Sequence, residues 1–274
     1  MCQRGGNAAK SKELENTVVN TQAPVEPVPA ATVILLRDDP EFQVLMVKRH
    51  HQIDFASGAL VFPGGKPAKG DSSEEWADLC LGWNDLDATQ RMLRIAAIRE
   101  AFEEAGILIA VGADGIPFEG ECDAETRKMV ERGERQFIDV VREADVRLCL
   151  DRLVGFARWI TPTFMKKRFD THFYAVAAPA SQIASCDNFE TVDAEWISPH
   201  TGLRLGEAGE RTIVFATRLN LQLLAEAAST DDCLDRAGKR RIVPVLPEMI
   251  EQDGKTFLTI PGEAGYGLTL AAFP

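Results

Sequence analysis

The sequence lacks the cysteine patterns and the long hydrophobic runs that mark zinc-binding, secreted or membrane proteins. Among its 274 residues are six cysteines, none in a CxxC pair and none near a histidine at zinc-site spacing. The longest apolar runs, such as residues 30–36, have the length of a β-strand, whereas a membrane-spanning helix needs about 18 apolar residues. We therefore predict a cytoplasmic protein with free thiols and no membrane association.

Basic residues are also few compared with acidic residues. The chain has 30 Lys and Arg residues against 42 Asp and Glu residues, which gives a formal net charge of −12. A molecule of this charge repels polyanions, so we expect no nucleic-acid partner. It would also repel a phosphate-bearing metabolite unless bound cations reversed the local field, so metal dependence is a physical expectation for such a ligand.

Hydrophobic residues make up 45% of the chain, which is enough to build the core of a globular domain. We predict that the polar, proline-containing residues 1–29 form a disordered leader and that residues 30–274 form one domain with insertions at about 72–90 and 112–147. Periodicity predicts helices at 88–105, 124–144 and 213–228, and strands at 30–37, 42–49, 60–62, 154–160, 169–177, 196–198, 242–246 and 256–260. This interleaving predicts an α/β sandwich with a mixed β-sheet.

The predicted helix 88–105 carries the most informative residues. Its apolar positions recur at helical spacing, and Gly106 supplies a C-terminal stop. On such a helix Glu100, Glu103 and Glu104 share an arc of about 100°, so three carboxylates converge on one face. Hard oxygen ligands of this kind suit Mg²⁺ or Mn²⁺, which also bridge to substrate phosphates.

The competing interpretation is a solvated helix surface, in which Arg99 and Glu103 form an ordinary i,i+4 pair. For an isolated string of this kind that interpretation would be the more common one. Here, however, the string is preceded by a strand that ends in the Phe-Pro-Gly-Gly of residues 62–65 and is followed by Gly106-Ile107. The two glycines let bare backbone approach the acidic face, where a carbonyl can add a ligand and no side chain blocks the phosphates. The combination favours a diphosphate site.

Together these residues resemble the Nudix box, written G-x5-E-x7-R-E-U-x-E-E-x-G-U with U apolar. Gly65 matches the opening glycine, and residues 99–107 match the second half. Asp71 stands at the position of the first glutamate, and residues 72–98 stand where the pattern has seven residues. The resemblance implies a Nudix-type α/β/α sandwich with helical insertions and a metal-dependent diphosphatase.

The interruption makes the chain similar to the Nudix branch that contains the mammalian peroxisomal coenzyme A diphosphatase, where an insertion also splits the box after the glycine pair. The upstream pattern of coenzyme A diphosphatases is matched by Arg49, Gly58 and residues 62–65, although His50 and Asp54 replace a small residue and an arginine. Further similar segments are residues 45–49, 159–162, 168–171 and 196–199.

The resemblance also implies roles for individual residues. Gly64, through its carbonyl, would bind the metal together with Glu103 and Glu104. Glu100 would be a further ligand or the general base, and Arg99 would orient the carboxylates.

Candidates outside the box follow from the same resemblance. A further catalytic acid often precedes a strand like the one at Trp196, and Glu190 fits that place, with Glu195 as second choice. The candidate substrate-binding residues are Arg49, Phe55, Gly58, Lys167 and Arg168. For the basic residues the alternative is plain solvation, and for Phe55 it is core packing.

The leading functional hypothesis is hydrolysis of coenzyme A or acyl-CoA to 3′,5′-ADP and (acyl-)4′-phosphopantetheine, with Mg²⁺ or Mn²⁺ as cofactor. The alternatives are an ADP-ribose or NDP-sugar diphosphatase and, in a different class, a non-catalytic Nudix-fold nucleotide sensor. Each has a small-molecule nucleotide as its partner, and a homodimer is the candidate assembly.

Overall fold

The computed structural model describes residues 25–49, 58–120, 123–185 and 191–272, with residues 49, 191 and 192 described by backbone alone. Its helices are α1 (Ala88–Ala105), α2 (Ala124–Glu131), α3 (Phe137–Glu143), α4 (Pro199–Glu207), α5 (Phe215–Leu224) and α6 (Thr230–Lys239). Its strands are β1 (Val28–Asp38), β2 (Phe42–Arg49), β3 (Leu60–Val61), β4 (Gly64–Gly65), β5 (Cys80–Leu81), β6 (Ala110–Gly112), β7 (Val146–Cys149), β8 (Val154–Ile160), β9 (Phe169–Ala177), β10 (Thr191–Ile197), β11 (Glu248–Gln252), β12 (Lys255–Thr259) and β13 (Leu270–Ala272).

A seven-stranded mixed sheet forms the centre of the domain. Its main strand order is β10-β2-β1-β9-β8, with β3 paired to β2 and β4 paired to β1. Strand β1 runs antiparallel to β2 and parallel to β9. Residues 30–36 of β1 are buried, which explains their nearly continuous apolar sequence, because a strand covered on both faces has no polar side. The predicted mixed sheet is confirmed.

Helices cover both faces of this sheet. Val33 and Leu35 of β1 belong to the core cluster that contains α1, whereas Ile34 and Leu36 belong to a second cluster with α5 and α6. Successive side chains of a strand point to opposite faces, so the alternation in β1 divides the core into an α1 side and an α5/α6 side. The result is the three-layer α/β/α arrangement that was predicted.

Helix α1 has the predicted bounds, and its caps explain them. The side chain of Asp87 accepts a hydrogen bond from the Gln90 amide at 2.8 Å, which caps the N-terminus. Gly106 ends the helix in the left-handed conformation, with φ of 69°. From residue 95 onward every residue of the helix is buried, including its charged ones.

The segments predicted as insertions are joined by a small sheet. Strand β5, from the first insertion, pairs in parallel with β7, and β7 pairs antiparallel with β6, giving the order β5-β7-β6. The prediction of one helix over 124–144 is wrong, because α2 ends at Glu131 and α3 starts at Phe137. Gly133, with φ of 70°, lies in the turn between them and interrupts the helical path.

Three predictions in the C-terminal third need correction. The helix predicted at 213–228 is limited to α5, because a new helix, α6, starts after the N-cap Ser229. The strand predicted at 242–246 is not formed, and only Val245 makes an isolated bridge, to Trp159. The strand that pairs with β12 is instead β11, and the strand predicted at 196–198 begins at Thr191. Within the described ranges, no helix has the length and apolar character needed to cross a membrane.

Candidate active site

The glycine pair of β4 brings backbone against both β1 and α1. Gly64 and Gly65 pair with Thr32 and Ala31 of β1. A Cβ atom at Gly64 would lie 2.5 Å from the Ala31 carbonyl oxygen, and one at Gly65 would lie 2.5 Å from Oε1 of Glu100. Neither position has room for a side chain, so the glycines are needed for close approach.

Arg99 forms ion pairs with three of the buried carboxylates. Its Nε lies 3.2 Å from Oδ2 of Asp71, its Nη1 lies 2.7 Å from Oε2 of Glu103, and its Nη2 lies 2.9 Å from Oε1 of Glu100. Nη2 also donates to the Lys66 carbonyl at 2.8 Å. One guanidinium therefore connects the segment after the glycine pair, the acid before the insertion and the acidic face of α1.

Glu104 reaches the glycine pair directly. Its Oε2 accepts a hydrogen bond from the Gly64 amide at 3.1 Å. Glu100, Glu103 and Glu104 are each less than a tenth exposed. The structure thus brings together all the box residues that the sequence predicted as ligands or orienting groups.

Burial and crowding shift the pKa values of this cluster. Burial raises the pKa of Glu103 to about 7; Arg99 opposes the shift, while the charges of Asp71 and Glu131 add to it. Burial likewise raises the pKa of Asp71 against the effect of Arg99. Burial disfavours the charged form of Arg99, but the surrounding carboxylates outweigh it and hold its pKa above the usual range. Four carboxyl groups lie around this one guanidinium, so when they are ionised their negative charge exceeds what Arg99 neutralises.

The donor set fits a hard divalent cation. Carboxylate oxygens and backbone carbonyls are the ligands that Mg²⁺ and Mn²⁺ prefer, and the excess negative charge favours a cation. As the side chains stand, no group of three or more His, Cys, Asp or Glu residues in the described ranges is arranged to hold a metal. Glu100 and Glu103 contact Arg99, and Glu104 contacts the Gly64 amide, so metal binding would compete with these contacts.

The other predicted residues are spread over the fold. Phe55 and Glu190 lie outside the described residues, and Arg49 is described only by its backbone in β2. Gly58 occupies a turn with φ of 68°. Lys167 is exposed just before β9.

Arg168 has a structural position. Its side chain is buried, and it donates to the backbone carbonyls of Thr161 at 2.9 Å and Val25 at 2.6 Å. The guanidinium thus joins the start of β9 to the segments before β1 and after β8, which accounts for it without a phosphate contact.

Glu195, the second choice for the further acid, points away from α1. The neighbouring Trp196 packs against the α1-side cluster, and strand alternation sends Glu195 to the opposite face. There it forms an ion pair with Arg211 at 3.5 Å.

Sequence reasoning missed two contributions from α2, Arg127 and Glu131. Arg127 is 2% exposed and contacts the backbone of Glu103, and the charge of Glu131 acts on the Glu103 carboxyl. In the sequence these residues are four apart and look like a surface i,i+4 pair. Only the packing of α2 against α1 reveals that they approach the acidic helix.

Comparison with known proteins finds similarity to Nudix hydrolases. Residues 84–213 match a family model described as the NUDT19 Nudix domain. Over 206 residues the chain is 27% identical to the Xenopus laevis acyl-coenzyme A diphosphatase NUDT19, covering 60% of this chain and 54% of that protein. It is 26% identical to the human protein of the same name, covering 82% of this chain and 72% of that one. The match thus spans about half the length of the frog relative.

A solved structure supports the fold. A Nudix hydrolase from Alicyclobacillus acidocaldarius superposes with a TM-score of 0.68 at 23% identity, covering 77% of this chain and 96% of that one. The comparisons confirm the resemblance to Nudix hydrolases and the α/β sandwich class.

Proposed function

We propose that this Nudix diphosphatase hydrolyses coenzyme A or acyl-CoA, in the presence of Mg²⁺ or Mn²⁺, to 3′,5′-ADP and (acyl-)4′-phosphopantetheine. The observation that carries the diphosphatase assignment is the buried ion pair between Asp71 and Arg99, at 3.2 Å. These residues belong to the two halves of the box that the insertion separates in sequence. Their contact supports a box that works as one unit despite the interruption.

The roles of the chain's own residues follow from the contacts. Arg99 holds the carboxylates of Glu100 and Glu103, and the Gly64 amide holds that of Glu104, on one face of α1, and a bound cation would replace part of these contacts. Glu100, Glu103, Glu104 and the Gly64 carbonyl would hold the cation, with Glu190 as a candidate further acid.

A bound Mg²⁺ would offset charge on the diphosphate and lower the pKa of water. One carboxylate, Glu100 in this proposal, takes the proton of the attacking water. Oxygen from water then bonds to one phosphorus, the bridging P–O bond breaks, and the departing phosphate retains the bridging oxygen.

The coenzyme A preference is supported by two independent features. The relatives in frog and human carry the name acyl-coenzyme A diphosphatase. Arg49 and Gly58 also keep the spacing of the upstream coenzyme A pattern. Arg49, Phe55 and Lys167 remain candidate substrate contacts, and a cytoplasmic location and a homodimer remain predictions.

The experiment is a substrate panel with product analysis. Purified protein with Mg²⁺, and separately with Mn²⁺, is incubated with CoA, a short-chain and a long-chain acyl-CoA, ADP-ribose, NADH, UDP-glucose and diadenosine tetraphosphate. The proposal expects the highest kcat/KM for CoA or an acyl-CoA, with 3′,5′-ADP as a product and no turnover in EDTA. A clear preference for ADP-ribose or an NDP-sugar would replace the substrate assignment.

The sensor alternative is tested with Glu104→Gln. Under the enzyme proposal the wild type turns over and the variant does not. If both proteins bind a nucleotide from the panel but hydrolyse none, the diphosphatase assignment fails and the sensor interpretation replaces it.

A further inference from the structure

We propose that Arg127, in the insertion helix α2, is a positioning residue that fixes the turn of α1 from which Glu103 projects. This inference rests on the proposed function, because it assigns the residue to the same metal-binding face. Nothing in the Nudix box includes Arg127, which lies beyond its last residue. The insertion that contains α2 would thereby help to position a proposed metal ligand.

The contacts of Arg127 converge on the end of α1. Its Nε and Nη2 donate to the Glu103 carbonyl at 3.1 and 2.8 Å. Nη2 also donates to the Ser185 carbonyl at 2.8 Å, and Nη1 donates to the Ser185 hydroxyl at 2.8 Å. The planar guanidinium thus donates hydrogen bonds to two segments of the chain at once, an arrangement that lysine cannot reproduce.

The last carbonyls of α1 need hydrogen-bond partners from outside the helix. The last carbonyls of a helix have no partner within the helix, and they carry partial negative charge. The Glu103 carbonyl accepts hydrogen bonds from Arg127, and the Ala105 carbonyl accepts one from the Ser185 amide at 2.9 Å. A cation at a helix C-terminus also complements the helix dipole.

Gly106 makes the close approach possible. A Cβ atom at this position would lie 2.9 Å from Nη1 of Arg127. The glycine of the box therefore serves two purposes here, since it permits the left-handed cap and leaves room for the guanidinium. Arg127 touches backbone rather than the carboxylates, so we expect it to act through the placement of Glu103.

The test compares Arg127→Lys and Arg127→Met with Arg142→Met, an exposed arginine of the same insertion that pairs with Glu75. Mn²⁺ affinity is measured by titration calorimetry on the full chain, with folding checked by circular dichroism. Substitution of a residue that orients a metal ligand typically lowers metal affinity or activity by about 10- to 100-fold. We expect Arg127→Lys to weaken Mn²⁺ binding by about tenfold and to lower kcat with KM nearly unchanged, while Arg142→Met matches the wild type.

A double variant shows whether the effect passes through Glu103. In a Glu103→Gln background, Arg127→Lys should cause no further loss of Mn²⁺ affinity. If the loss persists there, or if folded Arg127→Lys binds Mn²⁺ like the wild type, the proposal is overturned.

If both Arg127 variants fail to fold, Ser185→Ala is used to test the proposal instead. It removes one contact of the guanidinium and should weaken Mn²⁺ binding; unchanged affinity would then overturn the proposal. Failure of the proposed function is recognised separately, because wild type that binds Mn²⁺ but hydrolyses no substrate contradicts the diphosphatase assignment without affecting the calorimetric comparison.

Discussion

The two faces of the central sheet differ in whether the polar residues buried there are charged or neutral. On the α1 side, an arginine and four carboxylates are less than a tenth exposed: Asp71, Arg99, Glu100, Glu103 and Glu104. On the opposite side, the polar residues that α5 and α6 bury are the neutral Thr217, Asn220 and Thr230, and charged pairs such as Arg236 with Asp232 are partly exposed. Burying charge is costly, so the charged cluster lowers stability on the α1 side, and we attribute this cost to the proposed site.

The largest expected effect is on the α1 side, from Glu104→Gln. Loss of one negative charge from the metal-binding face should lower kcat/KM by about 10²- to 10⁴-fold. The metal-free variant should be at least as stable as the wild type, because the substitution relieves crowding of like charge. Steady-state kinetics and thermal unfolding in EDTA provide the two measurements.

Glu195→Gln is the matched control for that variant. It changes the same functional groups in a partly exposed ion pair on the opposite face, where such pairs contribute about 0–1 kcal/mol. We expect kcat/KM within about twofold of the wild type. Equal loss of activity in both variants would remove the distinction between the two faces.

Next in size is Leu221→Ala on the α5/α6 side. Leu221 is fully buried, and truncating such a leucine costs about 2–5 kcal/mol of unfolding free energy. Activity per folded molecule should stay near that of the wild type. Urea unfolding together with kinetics at low temperature checks both parts, and a tenfold loss of kcat/KM in the folded protein would show that the two faces are coupled.

A smaller effect is expected from Gly65→Ala. The added Cβ would lie 2.5 to 2.8 Å from the carboxylate atoms of Glu100 and must displace them. Because misplaced catalytic groups can cost up to about 10²-fold, we expect kcat/KM to fall by roughly 10- to 100-fold. The control is Gly202→Ala in α4, whose Cβ would lie 3.2 Å from flexible methyl groups of Ile197 and Leu221 and should leave kcat/KM unchanged.

The smallest effect concerns the pH dependence of the metal-free protein. The pKa of Glu103 is raised by burial from 4.5 to about 7, so the folded state favours the protonated acid. This contribution to stability is fully present below pH 4.5 and is lost as pH rises through 7. Thermal unfolding in EDTA should show a falling contribution across that window, and the Glu103→Gln variant should lack it. An identical pH profile in both proteins would contradict the assignment.

The same comparison shows what the sequence could and could not predict. Apolar periodicity and Gly106 are local signals, and they predicted the limits of α1. The Arg99 cluster was accessible through the box pattern, although its split required Asp71 to be matched across the insertion. These features depend on short-range spacing.

Other features depend on tertiary contacts. The helix predicted over 124–144 is interrupted near Gly133, because apolar periodicity alone does not report a left-handed turn. The apolar run 242–246 pairs with β8 only through Val245, which no local pattern records. Arg127 resembled a surface residue, since its role exists only when α2 lies against α1.

The central claim is that the acidic face of α1 binds a divalent cation, and Mn²⁺ titration calorimetry of wild type and Glu104→Gln tests it most directly. The account predicts measurable Mn²⁺ binding by the wild type and binding weakened at least about tenfold in the variant. Equal Mn²⁺ affinity in the two folded proteins, or no binding by either in the presence of CoA, would contradict it.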